Sequence, residues 1–498
     1  MSSPSYRTTS DLLRALAGGE FSSLELLDHL LERVERLNPA LNAVVTLDVG
    51  RARERADQAD AALARGESWG PLHGLPITVK DCFETAGLRT SCGAPQLADH
   101  VPERNAVAVE RLLGAGAVLF GKTNTPTFAM DWQTYNPLHG TTCNPWNTDR
   151  TPGGSSGGSA AAIAAGLTGL ELGSDIGGSI RIPAHCCGVY GHKPSWGIVP
   201  ERGHIPGLPG SLIERDINVV GPLARDASDL DLALSVIAGP LPEKAAAWRL
   251  ELPAPRRDAL RDYRVATWFG DPAAPIDRAV RERLEASVEA LVKAGVRVDV
   301  HRRPPIELAH AVQLYQRLLA PLTAATMSEE HFDALVGAGQ ATPADDPGEF
   351  AAFVRAIGMR HREWLAAHQE REQMRAGWAD FFREVDVLLC PAAPLPAILH
   401  DQREPLILRT LQVNGETRPY TDHFAWTGPF GAAHLPASVA PAGRTPDGLP
   451  VGIQIVAPYL EDRTSIDFAR RLADEIGGFE PPPGFGPAPG PAGRGRLS

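Results

Sequence analysis

Residues 151–193 read TPGGSSGGSAAAIAAGLTGLELGSDIGGSIRIPAHCCGVYGHK. Two glycine-serine clusters, GGSSGG at 153–158 and DIGGS at 175–179, flank an alanine-rich run that predicts a helix followed by a strand. Glycine has no Cβ, so dense glycine marks positions where the backbone itself must come close to another group. We therefore expect two tight turns that face one pocket.

The serines of these clusters are candidate nucleophiles. Successive backbone N–H groups in a glycine turn attract an anion, either a phosphate or the oxyanion of an acyl-transfer intermediate. Neither cluster continues into the G-K-[ST] sequence that closes a phosphate-binding loop. The pattern therefore favours acyl transfer over nucleotide binding.

The first cluster also matches the G-x-S-x-G pattern of serine hydrolases, centred on Ser155 or Ser156. A nucleophile in that pattern follows an apolar strand, whereas residues 147–152 are polar and end in proline. The second cluster has the better context, because residues 170–174 alternate like a strand that leads into the turn at Ser179.

Lysine is rare in this chain. Of its 48 basic residues only five are lysine, which leaves 43 arginines. Lys80 follows the apolar run at 77–79 and lies at the predicted end of a strand. Arginine does not release its proton in proteins, whereas a desolvated lysine does. Lowering a lysine pKa from roughly 10.4 to near 7 takes about 4 kcal/mol, within what burial achieves. Lys80 is therefore the candidate general base.

At these residues the chain resembles the amidase signature family, with a looser likeness from about residue 22 to about residue 479. The resemblance implies an α/β fold with a large mixed, mostly parallel β-sheet covered by helices on both faces. Alternating predicted helices and strands favour the same class. The matching motifs are GLPITVKD at 74–81, GKTNTP at 121–126, NPW at 144–146, TPGGSSGGSAA at 151–161, GSDIGGSIRIPA at 173–184 and GHKP at 191–194.

The resemblance assigns roles to three side chains. Ser179 matches the family's nucleophile, Lys80 its base, and Ser155 its bridging serine, whose peptide bond with Gly154 is cis in the family. Neutral Lys80 would take a proton from Ser155, and Ser155 would take one from Ser179, which attacks the amide carbonyl and forms an acyl-enzyme. This chemistry requires no metal and no organic cofactor. The backbone N–H groups that match the oxyanion hole are those of Ile176, Gly177, Gly178 and Ser179.

Composition limits the partners. The formal net charge of −12 and the lack of a Lys/Arg-rich patch argue against a nucleic-acid surface. The longest apolar run, residues 160–170, is too short to cross a bilayer, and the first residues do not read as a signal peptide. The six cysteines lack metal-ligand spacing. We expect a cytoplasmic monomer or homodimer that binds a small-molecule amide.

The chain is predicted to form one domain over residues 1–480, with its catalytic core at about 70–200. Residues 307–380 read as mostly helical and are expected to form a flap over the substrate. Residues 481–498 are rich in proline and glycine and are predicted to be a disordered tail.

Departures from the usual family residues bear on the substrate. The segment Asp131-Trp132-Gln133 replaces one that is commonly smaller, and the arginine-rich segment of glutamine-hydrolysing subunits is missing from residues 359–382. Although aromatic residues are more often core, we take Trp132, Gln133, Trp426 and Phe430 as the candidate substrate pocket. We therefore expect a hydrolase of small, largely apolar amides, with carbamates and esters also accepted.

Three alternatives stay open. The first is a glutamine-hydrolysing subunit of an amidotransferase. The second is a Ser-His-Asp esterase that uses Ser155 or Ser156 with His423 or His434. The third is a catalytically silent binding subunit.

Overall fold

The computed structural model describes residues 4–205, 209–325, 327–346 and 349–486. The helices are α1 Thr9–Ala17, α2 Ser23–Leu41, α3 Val49–Ala64, α4 Val107–Gly114, α5 Gly157–Ala164, α6 Arg181–Cys187, α7 Ala227–Ile237, α8 Arg278–Lys293, α9 Leu308–Ala324, α10 Glu329–Ala341, α11 Glu349–Ile357, α12 His361–Glu384, α13 Gly428–Ala432 and α14 Asp462–Ile476. The strands are β1 Val44–Leu47, β2 Pro76–Lys80, β3 Val118–Thr123, β4 Tyr135–Asn136, β5 Gly140–Thr141, β6 Leu170–Asp175, β7 Tyr190–Lys193, β8 Val219–Ala224, β9 Arg264–Thr267, β10 Arg297–Asp299, β11 Val387–Pro391, β12 Thr410–Val413, β13 Glu416–Pro419, β14 Ala437–Arg444 and β15 Pro450–Val456.

The centre of the molecule is an eight-stranded sheet with the order β10-β9-β11-β15-β14-β7-β8-β6. A three-stranded sheet with the order β1-β3-β2 adjoins it, because β2 lies against β6. Helices α5 and α6 pack together against these strands, and α7, α8 and α14 form a second group that packs against the same sheet. The expected α/β sheet with helices on both faces is therefore confirmed.

The strand directions are mixed. Parallel pairing joins β9 to β10 and β11, and β2 to β3. The other neighbours in these two sheets run antiparallel, so among the described strands parallel pairs are not the expected majority. For one antiparallel pair the cause is local: the five residues 445–449 join β14 to β15, and a parallel pair would need a much longer crossover.

The predicted helices and strands around the glycine-serine clusters are present. The alanine-rich run forms α5, and the strand that follows it is β6.

At the start of α2, Ser22 accepts a hydrogen bond from the Glu25 N–H, and the Glu25 carboxylate accepts one from the Ser22 N–H. This capping box fixes where α2 begins.

Residues 307–380 contain helices α9 to α12, as the sequence predicts. The glycines and prolines of the sequence predict breaks near 337–340 and 343–347. Helix α10 continues through the first to Ala341, which corrects that prediction, whereas the second falls between the end of α10 and the start of α11 at Glu349. Further helix ends lie at Ala324 and Ile357. Helix α9 packs on α13, α11 and α12, whereas α10 buries none of its residues. That this region is a flap over the substrate stays a prediction.

The start of the predicted tail is ordered. The Phe485 carbonyl accepts hydrogen bonds from the Tyr6 hydroxyl and, at 3.0 Å, from the Arg33 guanidinium. Tyr6 and Phe479 also stack with ring centroids 6.0 Å apart. Within the predicted disordered tail, Phe485 thus has defined hydrogen-bond partners, whereas residues 487–498 lie outside the described part of the chain.

Candidate active site

A buried lysine joins the two predicted catalytic loops. Lys80 is the last residue of β2, and its Nζ donates hydrogen bonds to Ser155 Oγ at 2.7 Å and to Ser174 Oγ at 3.0 Å. Lys80 is fully buried and Ser155 is 1% exposed. Burial lowers the pKa of Lys80, although Asp175 and Glu171 oppose the shift. The arrangement favours a neutral amine that can accept a proton from a hydroxyl.

The two glycine-serine loops touch through their backbones. The Ser156 N–H donates to the Ser179 carbonyl at 3.1 Å, and the peptide bond between Gly154 and Ser155 is cis. Ser179 follows β6 and is 6% exposed, whereas Lys80 is not exposed at all. Of the three predicted catalytic side chains, Ser179 is therefore the one most open to solvent, and Lys80 lies behind Ser155.

A buried ion pair holds the loop that carries Ser179. Asp175 Oδ1 accepts from Arg181 Nη2 at 2.7 Å, and both side chains are fully buried. Burial by itself raises the pKa of Asp175, but Arg181 outweighs it and lowers the pKa to about 2. Asp175 also accepts from the backbone N–H groups of Gly178 and Ile180, at 2.8 and 3.0 Å. The pair therefore has a structural role in shaping this loop.

Three of the four predicted oxyanion-hole donors are available. Among the described residues, no hydrogen-bond acceptor is found for the backbone N–H groups of Ile176, Gly177 and Ser179. The Gly178 N–H already donates a hydrogen bond to Asp175, so the prediction that it belongs to the oxyanion hole is not met by this structure. Gly178 also has a φ of +108°, a conformation that L side chains rarely adopt, which explains why glycine stands at this position of the loop.

The carbonyls of the same loop are also held by side chains. Trp132 Nε1 and Thr427 Oγ1 each donate to the Gly177 carbonyl at 3.0 Å. The Tyr315 hydroxyl, from α9, donates to the Ile176 carbonyl at 3.1 Å. Sequence reasoning did not identify Thr427 or Tyr315, because no local motif links them to a loop that precedes them by more than 130 residues.

Ser174 is a further residue that sequence reasoning missed. It is the fifth residue of β6, 3% exposed, and provides the second acceptor for Lys80. Its place in the GSDIGGS motif was the available signal: this serine lies just before the loop, on the strand that β2 packs against.

The other lysines of the core have structural contacts. Lys122 Nζ donates to the Phe83 carbonyl and, at 3.1 Å, to Thr90 Oγ1. Lys193 Nζ donates to the Pro194 carbonyl at 2.9 Å, and burial lowers its pKa to about 7. Only Lys80 among these three lysines is hydrogen-bonded to one of the predicted catalytic serines within the described residues.

The histidines of the esterase alternative lie elsewhere. His434 Nε2 is 3.0 Å from Asp216 Oδ1, and its ring stacks on Trp196. His423 packs against Trp132, with ring centroids 5.2 Å apart, and burial lowers its pKa to about 3. In the described part of the chain neither ring is hydrogen-bonded to the candidate serines. This geometry favours lysine as the base.

The predicted substrate pocket needs correction. Trp426 and Phe430 are fully buried in the main hydrophobic core, where they pack against Trp268 and Trp378. Both belong to elements packed within the molecule, since α13 packs on α9 and the Phe430 ring meets Trp378 of α12. Gln133 is 1% exposed and exchanges hydrogen bonds with the Asp401 backbone at 2.6 and 2.9 Å, which makes it a structural contact.

Trp132 is the candidate pocket residue that lies beside the loop of residues 175–179, named the nucleophile loop after its candidate nucleophile Ser179. Besides its bond to Gly177, its ring meets Phe424 edge-on, with centroids 4.4 Å apart. A methyl group added at Gly177 would lie 2.6 Å from Phe424 Cε1 and 2.7 Å from the Tyr315 hydroxyl oxygen. The loop therefore approaches an aromatic cluster of Trp132, Phe424 and Tyr315 as closely as glycine permits.

Across the described residues, no group of three or more His, Cys, Asp or Glu side chains is arranged to hold a metal ion. None of the helices in that part of the chain combines the length and apolar character needed to span a bilayer.

Comparison with known proteins identifies the family. The profile named Amidase matches residues 25–466. This match over most of the chain defines a hydrolase that acts on C–N amide bonds. The chain belongs to the amidase signature family and is an enzyme, as the motifs predict.

Relatives with different activities are similar to it over nearly their full length. A glutamyl-tRNA(Gln) amidotransferase subunit from Deinococcus radiodurans is 34% identical over 497 residues, which cover 94% of this chain and 97% of the relative. A solved structure from a vestigial protein complex, linked to the origins of an s-triazine catabolic enzyme, has a TM-score of 0.80 and 30% identity, and covers 95% of this chain and 100% of its own. A bacterial aryl acylamidase has a TM-score of 0.79 and 25% identity, with 95% and 97% covered.

Proposed function

We propose that this enzyme hydrolyses amide bonds with Ser179 as nucleophile, Ser155 as proton bridge and Lys80 as base. The observation that carries the proposal is the 2.7 Å hydrogen bond from Lys80 to Ser155, in a site where burial favours the neutral amine. The Ser156 N–H bond to the Ser179 carbonyl brings the loop of the nucleophile against the loop of the bridging serine. A hydroxyl needs such a base, because it is a weak nucleophile at its ordinary pKa.

In the proposed reaction, Ser179 Oγ forms a bond to the amide carbonyl carbon as its proton passes to Ser155 and a proton of Ser155 passes to Lys80. The resulting oxyanion accepts hydrogen bonds from the free N–H groups of the loop, among them those of Gly177 and Ser179. When the C–N bond breaks, the proton returns along the same path to the leaving amine. Water then attacks the acyl-enzyme and the cycle repeats.

The walls beside the nucleophile loop favour a small, largely apolar amide. The loop contacts the rings of Trp132, Phe424 and Tyr315. The nearby charges of Asp175 and Arg181 are paired with each other and fully buried, so they are not offered to a ligand. A free amino acid needs charged partners for its ammonium and carboxylate groups, because unpaired charge is costly to desolvate. Carbamates and esters with apolar groups would meet the same surface.

A second candidate is a glutamine-hydrolysing component of a tRNA amidotransferase. The relative from Deinococcus radiodurans is named as part of such an enzyme, and its 34% identity over 94% of this chain favours this candidate more than it favours the apolar-amide reading. Under this candidate the enzyme works within a complex. Under the first it acts alone, as a monomer or homodimer.

A substrate screen separates the two candidates. Purified protein is incubated with alkyl amides, anilides, carbamates, esters and glutamine, the last with and without the partner subunits of an amidotransferase. We expect release of amine or aniline from the apolar amides by the protein alone. Hydrolysis of glutamine only in the presence of partner subunits, with all apolar amides untouched, would replace the first candidate with the second.

A further inference from the structure

The loop between β6 and α6 is fixed by hydrogen bonds on nearly every peptide group. A trans peptide is planar, so the C=O of one residue and the N–H of the next point in opposite directions. Holding a carbonyl on one side of the loop therefore sets where the following N–H points on the other side.

The peptide between Gly177 and Gly178 is held at both ends. Its carbonyl accepts from Trp132 and Thr427, and its N–H donates to Asp175. This group is saturated by the protein itself. It supports the shape of the loop and leaves no donor for an oxyanion.

The peptide between Ile176 and Gly177 is held at one end only. Its carbonyl accepts from the Tyr315 hydroxyl at 3.1 Å, while the Gly177 N–H has no acceptor among the described residues. The other free donor is the Ser179 N–H, in the peptide whose Gly178 carbonyl accepts from the Ile182 N–H at 2.7 Å. The first turn of α6 thus orients the Ser179 N–H, whereas a side chain from α9 holds the peptide of the Gly177 N–H.

We propose that Tyr315 positions the Gly177 N–H of the oxyanion hole by holding the Ile176 carbonyl on the opposite side of the loop. Tyr315 is fully buried, and its ring also lies against Gly428, where an added methyl group would be 2.6 Å from Tyr315 Cδ1. The ring is therefore confined, and the hydroxyl is directed at the loop. Burial raises the pKa of Tyr315 well above its usual value, so the hydroxyl remains a donor at working pH.

This inference rests on the proposed function, and it gives α9 a part in that function. Tyr315 acts through the backbone of Gly177, so it is a positioning residue and not a catalytic one. Loss of its hydroxyl leaves the Gly177 N–H present but less well aimed. The rate of the step in which negative charge develops on oxygen should therefore fall, whereas the initial binding of a ligand should be little changed.

The test uses the full chain and a short-chain alkyl fluorophosphonate, which needs no knowledge of the natural substrate. Ser179 Oγ bonds to phosphorus, fluoride leaves, and the serine proton passes towards Ser155 and Lys80. The phosphoryl oxygen occupies the oxyanion hole. For Tyr315→Phe we expect the maximal inactivation rate to fall about tenfold, less than the loss expected for removing a donor outright, with the half-saturating concentration of the probe changed less than twofold.

A matched control is Tyr263→Phe. Tyr263 is also a fully buried tyrosine, but its hydroxyl donates to Asp467 Oδ2 at 2.8 Å, on α14. Its inactivation rate should stay within twofold of the wild type. Circular dichroism establishes that both variants are folded. Equal rates for Tyr315→Phe and the wild type, or an equal loss in Tyr263→Phe, would overturn the inference.

The same experiment distinguishes failure of the inference from failure of the proposed function. If the wild type is labelled at Ser179 and Tyr315→Phe is labelled just as fast, only the role of Tyr315 is rejected. If the wild type is not labelled at Ser179 at all, the proposed catalytic role of this serine is rejected with it.

Discussion

The glycine-serine core, residues 151–193, and the helical region, residues 308–384, are built in opposite ways. Every residue of the glycine-serine core is buried except Ile176, which is half-buried. The helical region contains α10, which buries none of its residues, and its other helices keep many exposed side chains. Yet α9 of this region delivers Tyr315 to the Ile176 carbonyl. A densely packed loop therefore receives one of its hydrogen bonds from a region that is less buried overall.

The largest effect is expected at the centre of the glycine-serine core. Replacing Ser179 with alanine or Lys80 with methionine should lower kcat/KM by about 10⁴-fold or more, because nucleophile and base act as one unit. The measurement is amine release from whichever amide the screen identifies. The double variant should be hardly worse than either single one. Full turnover by Lys80→Met would reject lysine as the base.

A large loss of stability is expected from Phe430→Ala. Phe430 is fully buried against Trp378, so the change leaves a cavity that costs about 3–5 kcal/mol of the free energy of unfolding. Chemical denaturation measures this loss. Phe430→Leu is the milder companion, and its half-saturating fluorophosphonate concentration should match the wild type. A changed half-saturating concentration in Phe430→Leu would indicate that Phe430 does contact the substrate.

Glu171, a buried carboxyl of the glycine-serine core, is expected to make the stability of the protein depend on pH. Burial raises the pKa of Glu171 to about 7, so its native form holds a proton that the unfolded chain releases near 4.5. The native state is therefore favoured most below pH 4.5, and this contribution is lost as pH rises through 7. Relative to Glu171→Gln, the wild type should lose on the order of 3 kcal/mol between pH 4.5 and 8.

Denaturation curves of the two proteins at several pH values check this prediction. Groups other than Glu171 titrate in both, so their effects cancel in the difference. A constant difference across the range would mean that Glu171 is ionised in the folded protein. The hydroxyls of Thr78 and Thr123, which donate to Glu171, would then suffice to hold a charge in the core.

The smallest effect is expected in the helical region. Gln340 is an exposed residue of α10. Its replacement with alanine should change the free energy of unfolding by no more than about 0.5 kcal/mol, as is usual for surface sites, and leave kcat/KM unchanged. Thermal unfolding and the amide assay measure both. A clear loss of activity would show that α10 influences the site although none of its residues is fully buried.

The sequence by itself determined the elements whose causes are local. Glycine spacing predicted both turns, the alanine-rich run predicted α5, and an apolar run ending in a rare lysine predicted that β2 would present Lys80. The family motifs then supplied the candidate roles of Ser155 and Ser179. Each of these signals lies within a few residues of the feature that it predicts.

Only the tertiary structure decided which distant side chains reach the site and which do not. Trp132 and Trp426 are both tryptophans in suggestive places, yet one lies beside the nucleophile loop and the other lies in the core. Tyr315 and Thr427 meet the loop from elements more than 130 residues away. The physical reason is that packing a helix against a sheet fixes contacts through the path of the whole chain, whereas turns and strand ends follow from the residues next to them.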